Sequence, residues 1–255
     1  MTVNTQPAML AASVAFYEAW RAAGGPAPEV CAGHSLGEYS ALTAAGALDF
    51  EEAVKLVRFR AQAMQDAVAP GVGGMAAVIG LADEDVLAAC EAARATGVVE
   101  AVNFNAPGQV VIAGEKAALA AALEACKVKG CRRAIELPVS APFHSSLLKG
   151  AAEALRARLA EVNVKTPLVP VIHNVDVAQH AQPDAIREAL ASQAAGAVQW
   201  VATVRRLKDM GVTDVVECGP GKVLTGLIKR IDADLRLHNV YDAASLNATL
   251  AALKE

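Results

Sequence analysis

Aromatic residues make up only 4% of this 255-residue chain, and alanine is abundant where they are missing. Small side chains favour helices packed closely on a sheet. Charge of one sign is also lacking: the formal net charge is −4. That argues against a general nucleic-acid binder, which needs a basic surface to neutralise phosphates. No apolar run reaches the ~18 residues that a membrane-spanning helix requires. The opening Met1-Thr2-Val3-Asn4-Thr5-Gln6-Pro7 has no basic stretch leading into an apolar one, so no secretory signal is expected. Cysteines number 5, at positions 31, 90, 126, 131 and 218, with no metal-ligand spacing. They read as reduced thiols of a cytoplasmic protein with no metal site. With 54% hydrophobic and 20% charged residues the chain is globular.

The strongest motif present is Gly33-His34-Ser35-Leu36-Gly37, which has the Gly-x-Ser-x-Gly form of a nucleophile elbow. Residues 29–32 read as a short strand, and 38–45 as a helix ending near Gly46. Strand, tight turn and helix are the context this motif needs. A side chain at Gly33 or Gly37 is expected to crowd the neighbouring strand and helix. The turn exposes the serine hydroxyl at a helix N-terminus, where free N–H groups can meet an oxyanion.

Around the elbow the pattern predicts a helix over 7–22 started by Pro7, and a helix from Asp49 to about position 68. Past 70-Pro-Gly-Val-Gly-Gly-74 the rhythm changes. Strands are expected at 75–80, 98–104, 110–113 and 133–139, with helices at 83–95, capped by Asp83, and 116–129. This β-α-β-β-α-β order is that of a ferredoxin-like unit, so 71–139 reads as a small inserted domain. The α/β rhythm then resumes: helices at 146–162, 183–195, 200–210 and 222–231, strands at 167–173, 213–217 and 235–240, and a closing helix from 243. Alternating strands and helices imply a largely parallel, covered sheet. The core is therefore expected to comprise 1–70 and 140–255.

A serine nucleophile needs a base, usually histidine. His34 adjoins Ser35, and neighbours on an extended turn point apart, which leaves it a supporting role. His173 reads as structural and His180 as solvated. His144, in a proline-stiffened loop leaving the insert, and His238, late in the chain, are not separated by spacing. A plain serine hydrolase would use His238 with an acid such as Asp214. Arg60 falls on the edge of the apolar stripe of its helix and must be paired. It either meets an internal carboxylate or forms a fork for a substrate carboxylate. Gly219-Pro220-Gly221-Lys222 lacks P-loop spacing and reads as a turn into a helix. Lys127, Lys129, Arg132 and Arg133 form a basic cluster, read as a solvated rim or a dock for an acidic partner.

Several longer stretches carry a resemblance. They are Gly33-His34-Ser35-Leu36-Gly37-Glu38-Tyr39-Ser40, Val102-Asn103-Phe104-Asn105-Ala106-Pro107-Gly108-Gln109, Pro142-Phe143-His144, Val198-Gln199-Trp200, and Glu217-Cys218-Gly219-Pro220-Gly221-Lys222-Val223-Leu224. Together they resemble the malonyl-CoA:acyl carrier protein transacylases of bacterial fatty-acid synthesis, over nearly the whole chain. Ala197 departs from the proline usual there. The resemblance implies a hydrolase-like core with a ferredoxin-like insert, Ser35 as nucleophile and His144 as its base. It implies that the backbone carbonyl of Gln193 orients the imidazole, that Arg60 binds the malonyl carboxylate, that Leu36 N–H is an oxyanion donor, and that Asn103 stands beside the site. It implies malonyl-CoA and acyl carrier protein as partners and no cofactor beyond the coenzyme A thioester, which is substrate. Members of that family carry several tens of residues ahead of this start, including a strand and a Gly-Gln-Gly turn whose glutamine adds to the oxyanion hole. The 255 residues contain no such segment. The expectation is a loss of ~10²–10³ in rate for one missing donor, or a fragment that only binds carrier protein.

Overall fold

The computed structural model describes residues 2–139 and 141–254; Ser140, in the loop leading to His144, lies outside the described residues. The chain opens with helix α1 (Thr2–Ala22), which buries Gln6, Leu10, Val14 and Trp20. Pro7 lies inside α1 rather than at its start, beyond the first turn, where its missing N–H leaves the Val3 carbonyl without its i→i−4 donor. Strand β1 (Cys31–Ala32) leads through the elbow into α2 (Leu36–Ala44), and α3 spans Phe50–Asp66. The Asp49 side chain caps α3 as expected, accepting from the amides of Glu51 at 3.0 Å and Glu52 at 3.3 Å. The buried stripe of α3 is Ala53, Leu56, Val57, Arg60, Ala61 and Met64, so the arginine is part of the apolar face itself.

Next come β2 (Gly73–Ile79), α4 (Asp83–Ala93), β3 (Val99–Ala106), β4 (Gln109–Glu115), α5 (Lys116–Val128) and β5 (Arg133–Glu136). The four strands form one antiparallel sheet in the order β3-β4-β2-β5. Helix α4 is not capped by Asp83. Ala82 holds that position, and Asp83, Glu84 and Asp85 crowd the first turn, where they complement the helix dipole instead. Strand β5 stops at Glu136 because Pro138, two residues on, has no N–H for the ladder. In the basic cluster, Lys127 pairs with Glu124 and Lys129 with Asp85.

The remainder contains α6 (Lys149–Ala160), β6 (Val171–Ile172), α7 (Pro183–Gln193), α8 (Trp200–Asp209), β7 (Asp214–Cys218), α9 (Val223–Ile231), β8 (Arg236–Val240) and α10 (Ala243–Ala252). Its strands are parallel, as the rhythm predicts, but form two separate pairs, β1-β6 and β7-β8. Both β1 and β6 are shorter than expected. Pro28, Pro167 and Pro170 flank them and supply no N–H donors.

The apolar clusters follow the same division. One joins Leu10, Tyr39, Leu42, Leu56 and Val57 to Leu155, Leu159, Ile186 and Leu190, from both sides of the four-stranded sheet in sequence. Another has its buried members between Ala76 and Cys126, with Cys131 and Ala134 packed against it, and fills the space between that sheet and helices α4 and α5. The sheet's other face, with Met75, Val102, Val111 and Ala113, packs against Leu137 and Phe143. That contact anchors the loop carrying His144. The β3 edge is pinned to the rest of the chain where Val198 N–H donates to Val102 O at 2.8 Å and Phe104 N–H to Val198 O at 3.0 Å.

Candidate active site

Ser35 stands between β1 and α2 with φ 52° and ψ −108°, a backbone conformation that non-glycine residues rarely hold. The turn is tight enough that a Cβ on Gly33 would lie 2.0 Å from the Gly37 carbonyl carbon and oxygen. Gly37 behaves otherwise than the sequence suggests: a Cβ there meets nothing within 4 Å. Gly33→Ala is therefore expected to destabilise the protein by about 2 kcal/mol, as overpacking against backbone does, whereas Gly37→Ala leaves the melting temperature unchanged or higher. Equal melting temperatures for the two variants in a thermal unfolding scan would refute this account.

Two side chains strap the elbow. Asn174 Oδ1 accepts from Ser35 N–H at 2.6 Å, and its Nδ2 donates to Gly33 O at 2.8 Å. Gln193 Nε2 donates to Ser35 O at 2.9 Å. The hydroxyl is left free to work: Ser35 Oγ lies 2.7 Å from His144 Nε2 and accepts from Arg60 Nη2 at 3.1 Å.

His144 also has a positive φ, 66°, and is 5% exposed. Its Nδ1 lies 2.8 Å from the backbone carbonyl of Gln193. A carbonyl only accepts, so Nδ1 carries the proton and Nε2 is left as the acceptor for the Ser35 hydroxyl. The two histidines that spacing leaves open are thus separated by geometry. His238 Nε2 sits 3.1 Å from Asp214 Oδ1, between β8 and β7, in a pair that does not include Ser35. His34 Nε2 is bonded to Asn105 Oδ1 at 2.7 Å, and its ring is tilted against Trp200. His180 pairs with Asp176 at 2.7 Å.

Burial, and next the Arg60 cation, push the His144 imidazole from its ordinary 6.5 down to about 3. The imidazole is therefore unprotonated throughout the mildly acid range. A reaction in which Nε2 must accept a proton is expected to stay level from pH 7 to pH 5, where a histidine of ordinary pKa would lose roughly 25-fold. An acid limb with its midpoint near the ordinary value would overturn this. The same shift makes stability fall as pH drops from the ordinary value towards the folded one, because the unfolded chain takes up the proton first.

Arg60 is 1% exposed and takes part in none of the ion pairs among the described residues. Its internal partners are neutral: Nη1 donates to Gln6 Oε1 at 2.7 Å and Nη2 to Gln193 Oε1 at 2.7 Å, with the Tyr39 ring centroid 5.3 Å away. The expected alternative, an internal salt bridge, is not what the fold builds. Arg60 Nε has no partner among the described residues, and neither does the buried Oδ1 of Asn103. Asn103 lies on β3 between register shifts that re-aim side chains along this strand. Leu36 opens α2, so its amide is one of the helix's first, which have no intrahelical acceptor. Gln6, Glu38 and Asn174 take part in this constellation without being singled out by the sequence pattern, although Glu38 lies in the stretch 33–40 that carries the resemblance. Each is a lone polar residue whose partners lie far along the chain.

The model of the acyl transferase domain family matches residues 1–244. The malonyl CoA-acyl carrier protein transacylase of Escherichia coli (strain K12) is 51% identical over 249 residues, covering 98% of this chain and 81% of that protein. Among solved structures, the acyl-carrier-protein S-malonyltransferase of Burkholderia pseudomallei superposes with a TM-score of 0.97 at 60% identity, covering 98% of this chain and 82% of that one. A malonyl-transacylase solved in complex with its type II PKS acyl-carrier protein gives 0.97 at 48% identity, covering 98% and 81%. With that identity over that length, and a serine–histidine pair held at the elbow, the chain belongs to the malonyl CoA-acyl carrier protein transacylase family.

Proposed function

We propose that this protein moves a malonyl group from coenzyme A to the phosphopantetheine thiol of acyl carrier protein through an acyl-serine intermediate. The observation that carries the reading is Arg60: a buried guanidinium, bonded internally only to neutral acceptors, 3.1 Å from the Ser35 hydroxyl. A buried cation without a carboxylate partner is costly to maintain. A substrate carboxylate that pairs with it removes that cost and holds the thioester beside the nucleophile.

In the first half-reaction His144 Nε2 takes the Ser35 proton as Oγ attacks the thioester carbonyl. The tetrahedral oxyanion is met by backbone N–H at the start of α2, Leu36 first. It collapses with loss of the thiolate of coenzyme A, which takes the proton back from His144 and leaves as thiol. In the second half, His144 accepts the proton of the phosphopantetheine thiol, whose sulfur attacks the acyl-serine, and the proton returns to Ser35. The Gln193 carbonyl keeps the imidazole in the tautomer both halves need. Each step uses groups of the chain and the two thiols, and the coenzyme A thioester is a substrate rather than a cofactor. Phe143 packs between the four-stranded sheet and the cluster of Met64, Leu148 and Ala151; as the bulky neighbour of His144, it is the residue we read as limiting α-branched acyl groups.

The strand order β3-β4-β2-β5 and the cluster whose buried members lie within 76–126 support reading 71–139 as a ferredoxin-like insert in a hydrolase-like core of 1–70 and 140–255. The five cysteines are unpaired, which supports the cytoplasm as the site of action. No helix among the described residues is long and apolar enough to cross a membrane.

Intact-mass spectrometry tests the reading. Incubation with malonyl-CoA is expected to add one malonyl group, which is lost again on addition of acyl carrier protein in its thiol form. An unmodified mass, or an adduct that the carrier thiol does not remove, refutes it.

A further inference from the structure

Glu38 is completely buried, and none of the reaction steps uses it. Three donors converge on its carboxylate, a group that only accepts: His173 Nδ1 at 2.7 Å, the Asn174 amide at 2.9 Å and Gln193 Nε2 at 2.7 Å. Two of these donors belong to residues that touch the site directly. Asn174 straps the elbow at Ser35 and Gly33. Gln193 reaches Arg60 through its side-chain oxygen, at 2.7 Å.

A carboxamide is two-sided: its oxygen accepts and its NH₂ donates. Turned over, the Gln193 amide would set its NH₂ against the Arg60 guanidinium, donor on donor, and its oxygen against Glu38, acceptor on acceptor. Arg60, which presents only donors, and the Ser35 carbonyl, which accepts from Gln193 Nε2 at 2.9 Å, ask for the same orientation, and the Glu38 carboxylate is the charged acceptor that reinforces it. The anion and the cation thus face each other across one neutral amide. Glu38 favours the charged form of Arg60 without pairing with it, and the guanidinium charge is not consumed inside the protein.

We infer that Glu38 is a positioning residue for acyl selection: by fixing the Gln193 amide, it holds the Arg60 guanidinium in the pose that receives the substrate carboxylate. This rests on the reading of Arg60 as the carboxylate's partner. The two arms from Glu38 make different demands on substrate. The Asn174 arm supports the elbow and serves every acyl group alike. The Gln193 arm also supports the elbow, through Nε2 to Ser35 O, and in addition holds Arg60, which matters only to acyl groups that bear an acid.

The test is the rate of acyl-enzyme formation at low substrate from malonyl-CoA and from acetyl-CoA, in wild type, E38Q, R60A and the double variant. E38Q is expected to slow both, and to lower the malonyl-to-acetyl ratio by about tenfold, the effect of one misaligned charge-assisted hydrogen bond. In the R60A background, adding E38Q is expected to leave the ratio within about twofold, since both changes act on one contact. E38D keeps a carboxylate but shortens it, and its ratio is expected between those of wild type and E38Q. Equal slowing of both substrates by E38Q, or the same tenfold fall on top of R60A, overturns the inference, because a loosened fold penalises both acyl groups and ignores Arg60. An unchanged ratio in R60A alone would instead defeat the reading of Arg60. If E38Q does not fold, E38D decides: a ratio at least threefold below wild type supports the inference, and a wild-type ratio overturns it.

Discussion

Ser35→Ala leaves no acyl-enzyme: the intact mass after incubation with malonyl-CoA is that of the unmodified chain, and transfer falls on the order of 10⁶-fold, as for other serine enzymes stripped of their nucleophile. The size of the effect follows from the geometry. Ser35 Oγ is the atom shared by His144 and Arg60, at 2.7 and 3.1 Å. Removing it takes away the bond-forming atom, the proton that His144 accepts and one acceptor of the guanidinium. Binding is expected to survive, because the carboxylate partner and the helix N-terminus remain. A malonyl adduct on another residue of the variant would sink the assignment of the nucleophile.

Arg60→Ala acts on selection rather than on the acylation step common to all thioesters. Malonyl transfer is expected to fall about 10- to 100-fold, the loss of a charge-assisted pair, while acetyl transfer falls much less, so that the preference between the two narrows. A second effect accompanies it. The Arg60 cation is one cause of the depressed His144 pKa, so the acid limb of the pH–rate profile moves up towards neutrality in this variant. Competition between malonyl-CoA and acetyl-CoA at fixed enzyme measures the first effect, and a pH series with acetyl-CoA the second. An unchanged preference would refute the role of Arg60.

Much of the site is legible in the sequence because local rules write it. The elbow shows itself in Gly33 and the flanking turn, the start of α3 in the Asp49 cap, and the unusual status of Arg60 in its phase on the helix. What stays open is long-range. Spacing leaves His144 and His238 as equals, and they part only where the four-stranded sheet, through Phe143, brings the loop of His144 to Ser35. Gln6, Glu38 and Asn174 are single polar residues with partners up to 155 positions away, and no periodicity marks such a residue. Local rules also mislead where two solutions compete. Asp83 has the chemistry of a cap and serves as a first-turn charge, and Gly37 has the look of a steric necessity yet faces open space. The parallel strands are readable in order, and β7 and β8 in length as well, but β1 and β6 are not, since prolines at their flanks end the ladders early.

The acceptor that orients His144 is the main-chain oxygen of Gln193, and this sets what point mutation can reach. In an enzyme whose base is steered by an aspartate, one codon change deletes the steering group. Here every residue type at position 193 brings the same carbonyl, so drift at that position tests only the amide and what it holds. The carbonyl also has no proton to gain, so the aim of the imidazole does not change with pH. The basicity of His144 can therefore be retuned through Arg60 while its direction stays fixed by the fold of the chain.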